Sequence, residues 1–238
     1  MTKKFNCIRK NNLGEIALAL AVVASVTAFS LNLFSPRQET FRETPEKTLV
    51  IDAGHGGLDG GATGADGSRE SDINLEIALK LEAMAGFFGE KSLMTRKDDN
   101  CGADAADYSE HRELERRTEL INSAADAVLI SIHQNCYPTA QPSGAHVLYS
   151  PNGQSEELAE LLYGNIKTAL EPQNRRLPAA GDDIYILENA DCPAVLIECG
   201  FVSNHSDITK LTDSDYQTSL AAVMMASYIQ YRDNVIQT

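Results

Sequence analysis

Leu49-Val50-Ile51-Asp52-Ala53-Gly54-His55-Gly56-Gly57 joins a short apolar run to a histidine held between glycines, and its reading sets the fold of the chain. The apolar run suits a buried strand, while the glycines permit a tight turn that presents the His55 ring and leaves room for something to approach it. Two later stretches repeat the design. Asp126-Ala127-Val128-Leu129-Ile130-Ser131-Ile132 is almost unbroken in apolar character, as in strands buried on both faces of a parallel sheet, and it ends at His133. Pro193-Ala194-Val195-Leu196-Ile197 reads as another buried strand and ends at Glu198.

Helical patterns separate these strands. Ser71 or Asp72 caps a helix whose Ile73, Ile77, Leu81, Met84 and Phe88 recur at helical spacing, and Gly86 and Gly89 close it. A short strand at 92–95 follows. The helix predicted over 108–123 carries charge on most faces, including Glu113 and Arg117, and reads as a solvated face laced with ion pairs. Beyond it come a weaker strand at 146–149, a helix over 155–170, a short strand at 184–187 and an amphipathic helix over 215–231. The alternation predicts a single α/β domain with a mainly parallel twisted sheet covered by helices on both faces. Such sheets bind ligands beyond the carboxyl ends of their strands, where His55, His133 and Glu198 all fall.

Ahead of the domain, Lys3, Lys4, Arg9 and Lys10 precede an apolar run over 16–34, which as a helix would span about 28 Å, one bilayer core. The expected organisation is a basic cytoplasmic terminus at 1–14, a signal anchor or transmembrane helix at 15–34, a tether at 35–48 and a catalytic domain at 49–238. Basic residues before the span place the remainder on the extracytoplasmic side. Val26-Thr27-Ala28 is the competing signal-peptidase site, and cleavage there would give a secreted domain.

The 238 residues carry 20 Lys and Arg against 34 Asp and Glu, a net charge of −14. That balance argues against nucleic acid as a partner and against simple electrostatic adhesion to anionic polymers. The five cysteines form no CxxC pair and no framework-like spacing.

Two histidines and a carboxylate with one open position form the usual catalytic zinc site, which lowers the pKa of water to about 7. His55 and His133 supply the nitrogens. The oxygen comes from an acidic residue on the same rim, with Asp52, Asp59, Glu70, Asp72 and Glu198 as candidates. Glu70 lies at the end of the glycine loop, which can fold it back beside His55. That leaves Glu198 as general base and then proton donor, a role worth roughly 10² to 10⁴ in rate. Each has a plainer reading: a core histidine for His133, a carboxylate favoured by a helix dipole for Glu70, half of a buried ion pair for Glu198.

Asp52-Ala53-Gly54-His55-Gly56-Gly57, Glu70 fifteen residues after His55, Ser131-Ile132-His133-Gln134-Asn135, and the stretch from Pro193 through Glu198 to Asn204 resemble the successive signatures of the zinc-dependent N-acetylmuramoyl-L-alanine amidases of the amidase 3 family. The resemblance covers 49 to about 231. It implies one zinc ion held by His55, Glu70 and His133, Glu198 as the catalytic glutamate, and peptidoglycan as substrate, cut between the lactyl group of N-acetylmuramic acid and L-alanine of the stem peptide. The short form without wall-binding repeats is similar to the membrane-anchored spore-cortex, germination-specific type that helps make muramic-δ-lactam. An accessory protein of unknown kind is compatible with this type. A general wall-remodelling amidase, a zinc peptidase cutting within the stem peptide and a non-catalytic wall-binding protein are the competing readings. Ala53 stands where many relatives have proline, and Cys136 and Cys199 flank the site where small apolar residues are more usual, which opens thiol capture of metal or sensitivity to oxidation.

Among the remaining residues, His111 and His205 read as surface histidines, the latter in a polar turn. His146 is a candidate to line the cleft, and Asn135 and Asn204 are candidates to steady ligands or substrate by hydrogen bonds.

Overall fold

The computed structural model of the protein describes residues 47–99, 108–152 and 154–237. In chain order the elements are β1 (Thr48–Ala53), α1 (Glu70–Phe88), β2 (Ser92–Met94), α2 (Glu110–Asn122), β3 (Ala127–Asn135), β4 (His146–Tyr149), α3 (Ser155–Ala169), β5 (Ala179–Ala180), α4 (Tyr185–Asn189), β6 (Ala194–Phe201), α5 (His205–Leu211) and α6 (Ser214–Gln237). The strands form one sheet in the order β2-β1-β3-β6-β4-β5.

The apolar runs that define β1, β3 and β6 occupy the middle of this sheet. All six residues of β1 are buried, and β1 pairs in parallel with β2 on one side and β3 on the other. Alternate side chains serve two cores. On one face Leu49, Ile51, Val128, Ile130, Ile132, Val195 and Ile197 pack with α1, α3 and α6. Ile73, Ile77, Leu81 and Ala85 form the buried stripe of α1, and Leu220, Met224, Tyr228 and Tyr231 that of α6. Each fully buried aliphatic or aromatic side chain of this kind stabilises the fold by about 1.5–3 kcal/mol. On the other face Val50, Leu129, Ala194 and Leu196 meet only the shorter α2 and α4, through Ile121, Ile186 and Leu187.

Several expectations are corrected. The sheet is mixed: four of its five pairings are parallel, but β4 runs antiparallel to β6. The chain leaves β3 at the carboxyl edge and enters β4 from that same edge without a crossover helix, so β4 must run back. The segment 184–187 is the start of helix α4 rather than a strand, and the strand of that region is the two-residue β5. A short apolar run does not tell helix from strand by periodicity, and Ile186 and Leu187 satisfy their burial as one helical turn. Strands β3 and β6 continue past His133 and Glu198 instead of ending there. The polar turn expected at His205 is helix α5, capped by Asn204. Gly86 lies inside α1, which is closed by Gly89 alone at φ 74°.

The expected fold also included a preceding transmembrane helix. No helix among the described residues is long and apolar enough to cross a membrane, and the fold they describe is the α/β domain alone. The segments 1–14 and 15–34 and nearly all of 35–48 lie outside the described residues.

Candidate metal centre and active site

At the carboxyl edge of the sheet, register places the site residues side by side. His133 of β3 is the parallel partner of Glu198 of β6, and Glu198 is the antiparallel partner of His146 of β4. Directly paired residues project from the same face of a sheet, so these three form a row on the face that α2 and α4 cover. His55 lies two residues past the end of β1, in the left-handed region at φ 59°. That uncommon backbone is held by a tight turn in which Gly56 N–H donates to Asp59 C=O at 2.7 Å and Asp59 N–H returns to Gly56 C=O at 3.1 Å.

The carboxylate of Glu70, 4 % exposed at the start of α1, sits between the two imidazoles. Its Oε1 lies 3.2 Å from His55 Nε2 and 3.1 Å from His133 Nδ1, and it accepts the Gln134 N–H at 3.0 Å. Oε2 accepts the Ala62 N–H at 2.9 Å, which ties the glycine loop to the helix start. Donor atoms of His55, Glu70 and His133 all lie within 4.8 Å of one another, a group able to hold a metal ion. Of the five carboxylates open to this role, Glu70 is the one the fold brings between both histidines. Asp72 instead pairs with Arg69 on the surface.

Asp59 and Asp52 have other tasks. Asp59 Oδ2 lies 2.6 Å from His55 Nδ1, opposite Glu70 on the ring, so it orients the imidazole and directs Nε2 inward. Asp52 is buried below the rim, accepting from Ser131 at 2.6 Å and Thr95 at 2.7 Å, with Arg117 Nη1 at 3.3 Å. Arg117, expected on a solvated helix face, is 3 % exposed. It reaches the carbonyls of Ala53 at 3.1 Å and His55 at 2.5 Å, and Glu113 holds its other edge at 2.9 Å. Arg96 performs the same service from the other side, donating to the carbonyls of Ala53, Gly54 and Ser71. These two buried guanidiniums clamp the turn that carries His55. Their sequence signal was limited to one arginine in a charged helix and one just past a short strand, and arginines are usually surface residues.

The charges follow from this geometry. Burial opposes ionisation of Glu70, but the two imidazoles overcome it and hold the carboxyl well below its usual range. Burial likewise opposes charge on His55, yet Glu70 and Asp59 push its pKa up to about 9. Burial raises Glu198, helped by the charge of Glu70 and opposed by the two histidines. Its Oε2 is buried with no hydrogen-bond partner among the described residues. A buried carboxylate oxygen without a partner is costly, and this one belongs to the strand position paired with His133 of the donor triad.

The remaining candidates divide. His146 stands next to Glu198 in the row, with its pKa lowered by burial and by the charge of Arg176. Asn204 is committed to the fold: its side chain accepts from Ser206 and Asp207 N–H groups and donates to Ala140 C=O. Asn135 sits at the register shift between β3 and β6, where its carbonyl accepts from Val202. Cys199 is buried, in the core on the face opposite the row, and burial drives its thiol far up, so it is no metal thiolate. Gly54 supports the site by contact: a methyl group there would stand 2.2 Å from His133 Nε2, so this glycine admits the ligand ring rather than a substrate.

Fold and rim together define a catalytic domain of the α/β class, with a His-Glu-His donor set beside a half-buried glutamate whose Oε2 has no partner among the described residues. The chain belongs to the N-acetylmuramoyl-L-alanine amidase family, whose model matches residues 49–229. It is 33% identical over 190 residues to the germination-specific N-acetylmuramoyl-L-alanine amidase of Bacillus subtilis, covering 78% of this chain and 79% of the relative. Among solved structures it is similar to the CwlD amidase of Clostridioides difficile in complex with the GerS lipoprotein, with 35% identity, a TM-score of 0.74 and coverage of 79% of this chain and 99% of that one. A second amidase structure, from Clostridium difficile 630, shares 30% identity with a TM-score of 0.69 over 79% of this chain and 97% of that one.

Proposed function

We propose that the protein is a zinc-dependent N-acetylmuramoyl-L-alanine amidase that acts on peptidoglycan in formation of the spore cortex, with Glu198 as its proton shuttle. The observation that carries this reading is the triad of His55, Glu70 and His133 with the unpartnered Glu198 oxygen on the strand position paired with His133. Two imidazole nitrogens and one carboxylate oxygen are the donor set of catalytic zinc sites that keep a position open. Zinc bound there supplies Lewis acidity toward an amide carbonyl and acidifies water.

The chain's own residues do the rest. Asp59 holds the His55 ring in its working orientation, and Arg96 and Arg117 hold the turn beneath it. Glu198 accepts a proton from the attacking water and hands it to the departing alanine nitrogen, so the proton lost at one step returns at the next. Burial keeps its affinity for that proton above that of an exposed glutamate, as a shuttle requires.

The germination-specific relative supports the cortex role, and the complexed CwlD structure supports a lipoprotein partner for this chain too. Because its substrate is peptidoglycan, the domain would work on the extracytoplasmic side. The test is digestion of purified peptidoglycan by the full chain, with and without a chelator, followed by identification of the new ends. New N-terminal alanine and peptide-free muramic acid, both lost on chelation, are expected. Release of D-alanine or of reducing sugars overturns the reading.

A further inference from the structure

Beside the row of site residues, the carboxyl edge opens into a cleft lined by Gly144, Glu171, Asn174, Arg176, Asn204 and Lys210, among others. Arg176 is the feature of this cleft that the fold leaves unexplained. Its guanidinium carbon lies 5.2 Å from the centre of the Phe201 ring. Its Nε is buried without a hydrogen-bond partner, and no carboxylate pairs with it among the described residues. Arginine stacked on an aromatic face is pre-oriented, and its fork of donors matches a carboxylate. The two acids of the cleft do not answer it, because both face inward. Asp207 Oδ2 accepts the N–H groups of Gly144 and Phe201, while Glu171 accepts from Ala145 N–H, Asn174 Nδ2 and Tyr216 O–H.

The cleft is next to the reacting centre. Phe201 follows Glu198 on β6, three residues or about 10 Å along the strand at roughly 3.3 Å per residue. Arg176 also lies close enough to His146, the strand partner of Glu198, for its charge to act on that ring. Around the scissile amide of a muramoyl peptide the sugars are neutral, because the lactyl carboxyl is consumed in the amide itself. The carboxylates nearest that bond belong to the stem peptide, at its acidic residues two and three, and 10 Å is the reach of about three extended residues.

We infer that the cleft around Arg176 receives a carboxylate of the stem peptide, so that the enzyme selects acidic stems over amidated ones. This deepens the amidase reading and rests on it for the identity of the ligand. Lys210 and Arg175 on the same cleft add positive charge in a chain of net −14. A half-buried guanidinium whose Nε is out of reach of water keeps an unpaired charge when it faces a neutral amide, which is what drives the selection.

The experiment titrates the full chain with the stem tripeptide L-alanyl-γ-D-glutamyl-diaminopimelate, and with the same peptide whose carboxylates are converted to amides. The acidic form is expected to bind at least about tenfold more tightly, and Arg176→Gln is expected to erase that difference while leaving the fold intact by circular dichroism. Arg176→Lys, which keeps the charge but not the fork, should retain part of the preference. Equal binding of the two peptides, no measurable binding of either, or a preference that survives Arg176→Gln overturns the inference. Peptidoglycan digestion run in parallel separates the two claims. Selective binding without cleavage would sink the amidase reading and leave the carboxylate site standing, and cleavage without selectivity would do the reverse.

Discussion

Gly54 and His133 are in such close contact that a Cβ added to Gly54 would stand 2.2 Å from Nε2 of the histidine and 2.3 Å from Cε1. The turn after β1 and the end of β3 are therefore shaped to one another, and the ligand geometry depends on a missing side chain. Gly54→Ala should displace the His133 ring and lower zinc affinity by at least about tenfold, the scale of effect seen when the support of a metal ligand is removed. Competition with a chromophoric chelator measures it, and unchanged affinity would show that the ring does not need this contact.

Glu198→Gln separates binding from chemistry. The residue is not part of the donor triad, so zinc content by elemental analysis should be unchanged, whereas turnover should fall by at least about a hundredfold through loss of the proton shuttle. Activity retained by the variant would remove Glu198 from the mechanism.

Zinc binding should release a proton. His55 of the metal-free protein holds its proton up to about pH 9, and a metal ligand must be neutral. Affinity should therefore climb as pH rises from 6.5 toward 9, with about one proton released per ion at pH 7, read by calorimetry in buffers of different ionisation heat. The metal-free fold shows the opposite trend. A histidine raised from 6.5 to about 9 contributes stability that is complete below 6.5 and lost as pH rises through about 9. Denaturant midpoints of metal-free protein at pH 6.5 and 9.5 that fail to fall would contradict this.

The buried pair of Asp52 and Arg117 should be expensive to split. Asp52→Ala leaves the guanidinium uncompensated beneath the His55 turn, at a cost of about 3–5 kcal/mol in urea unfolding. Burial opposes charge on Asp52, but Arg117, with the Ser131 and Thr95 hydroxyls, holds its carboxyl below the ordinary 3.8. Its contribution is therefore present above that value and disappears as pH drops beneath it, so the gap between parent and variant should narrow in strong acid. A loss under about 1 kcal/mol at pH 7 would mean that Glu113 alone satisfies Arg117.

Much of the site was legible because its signals are local. An apolar run interrupted by a histidine or a glutamate places that side chain near the carboxyl end of a strand, and so His55, His133 and Glu198 were located at the rim before any contact was known, although β3 and β6 run on past theirs. The run 184–187 misled because four apolar residues serve a helical turn as well as a strand. Charge patterning misled at Glu113 and Arg117, whose helix looks solvated until the buried carboxylate of Asp52 is placed opposite it.

The sequence by itself determined the α/β class, the order of the principal strands and three of the four residues at the rim, since periodicity and strand termination depend on neighbours a few positions away. The tertiary structure decided which of five acids joins the two histidines, that β4 runs antiparallel, and that two arginines lie under the catalytic turn. Those outcomes depend on groups about forty or more residues apart meeting in a buried space, where Glu70 reaches His133, Arg117 reaches Asp52 and His55, and Arg96 reaches Ala53. Desolvation there forces each charge to find its partner, and no local pattern records which partner that is.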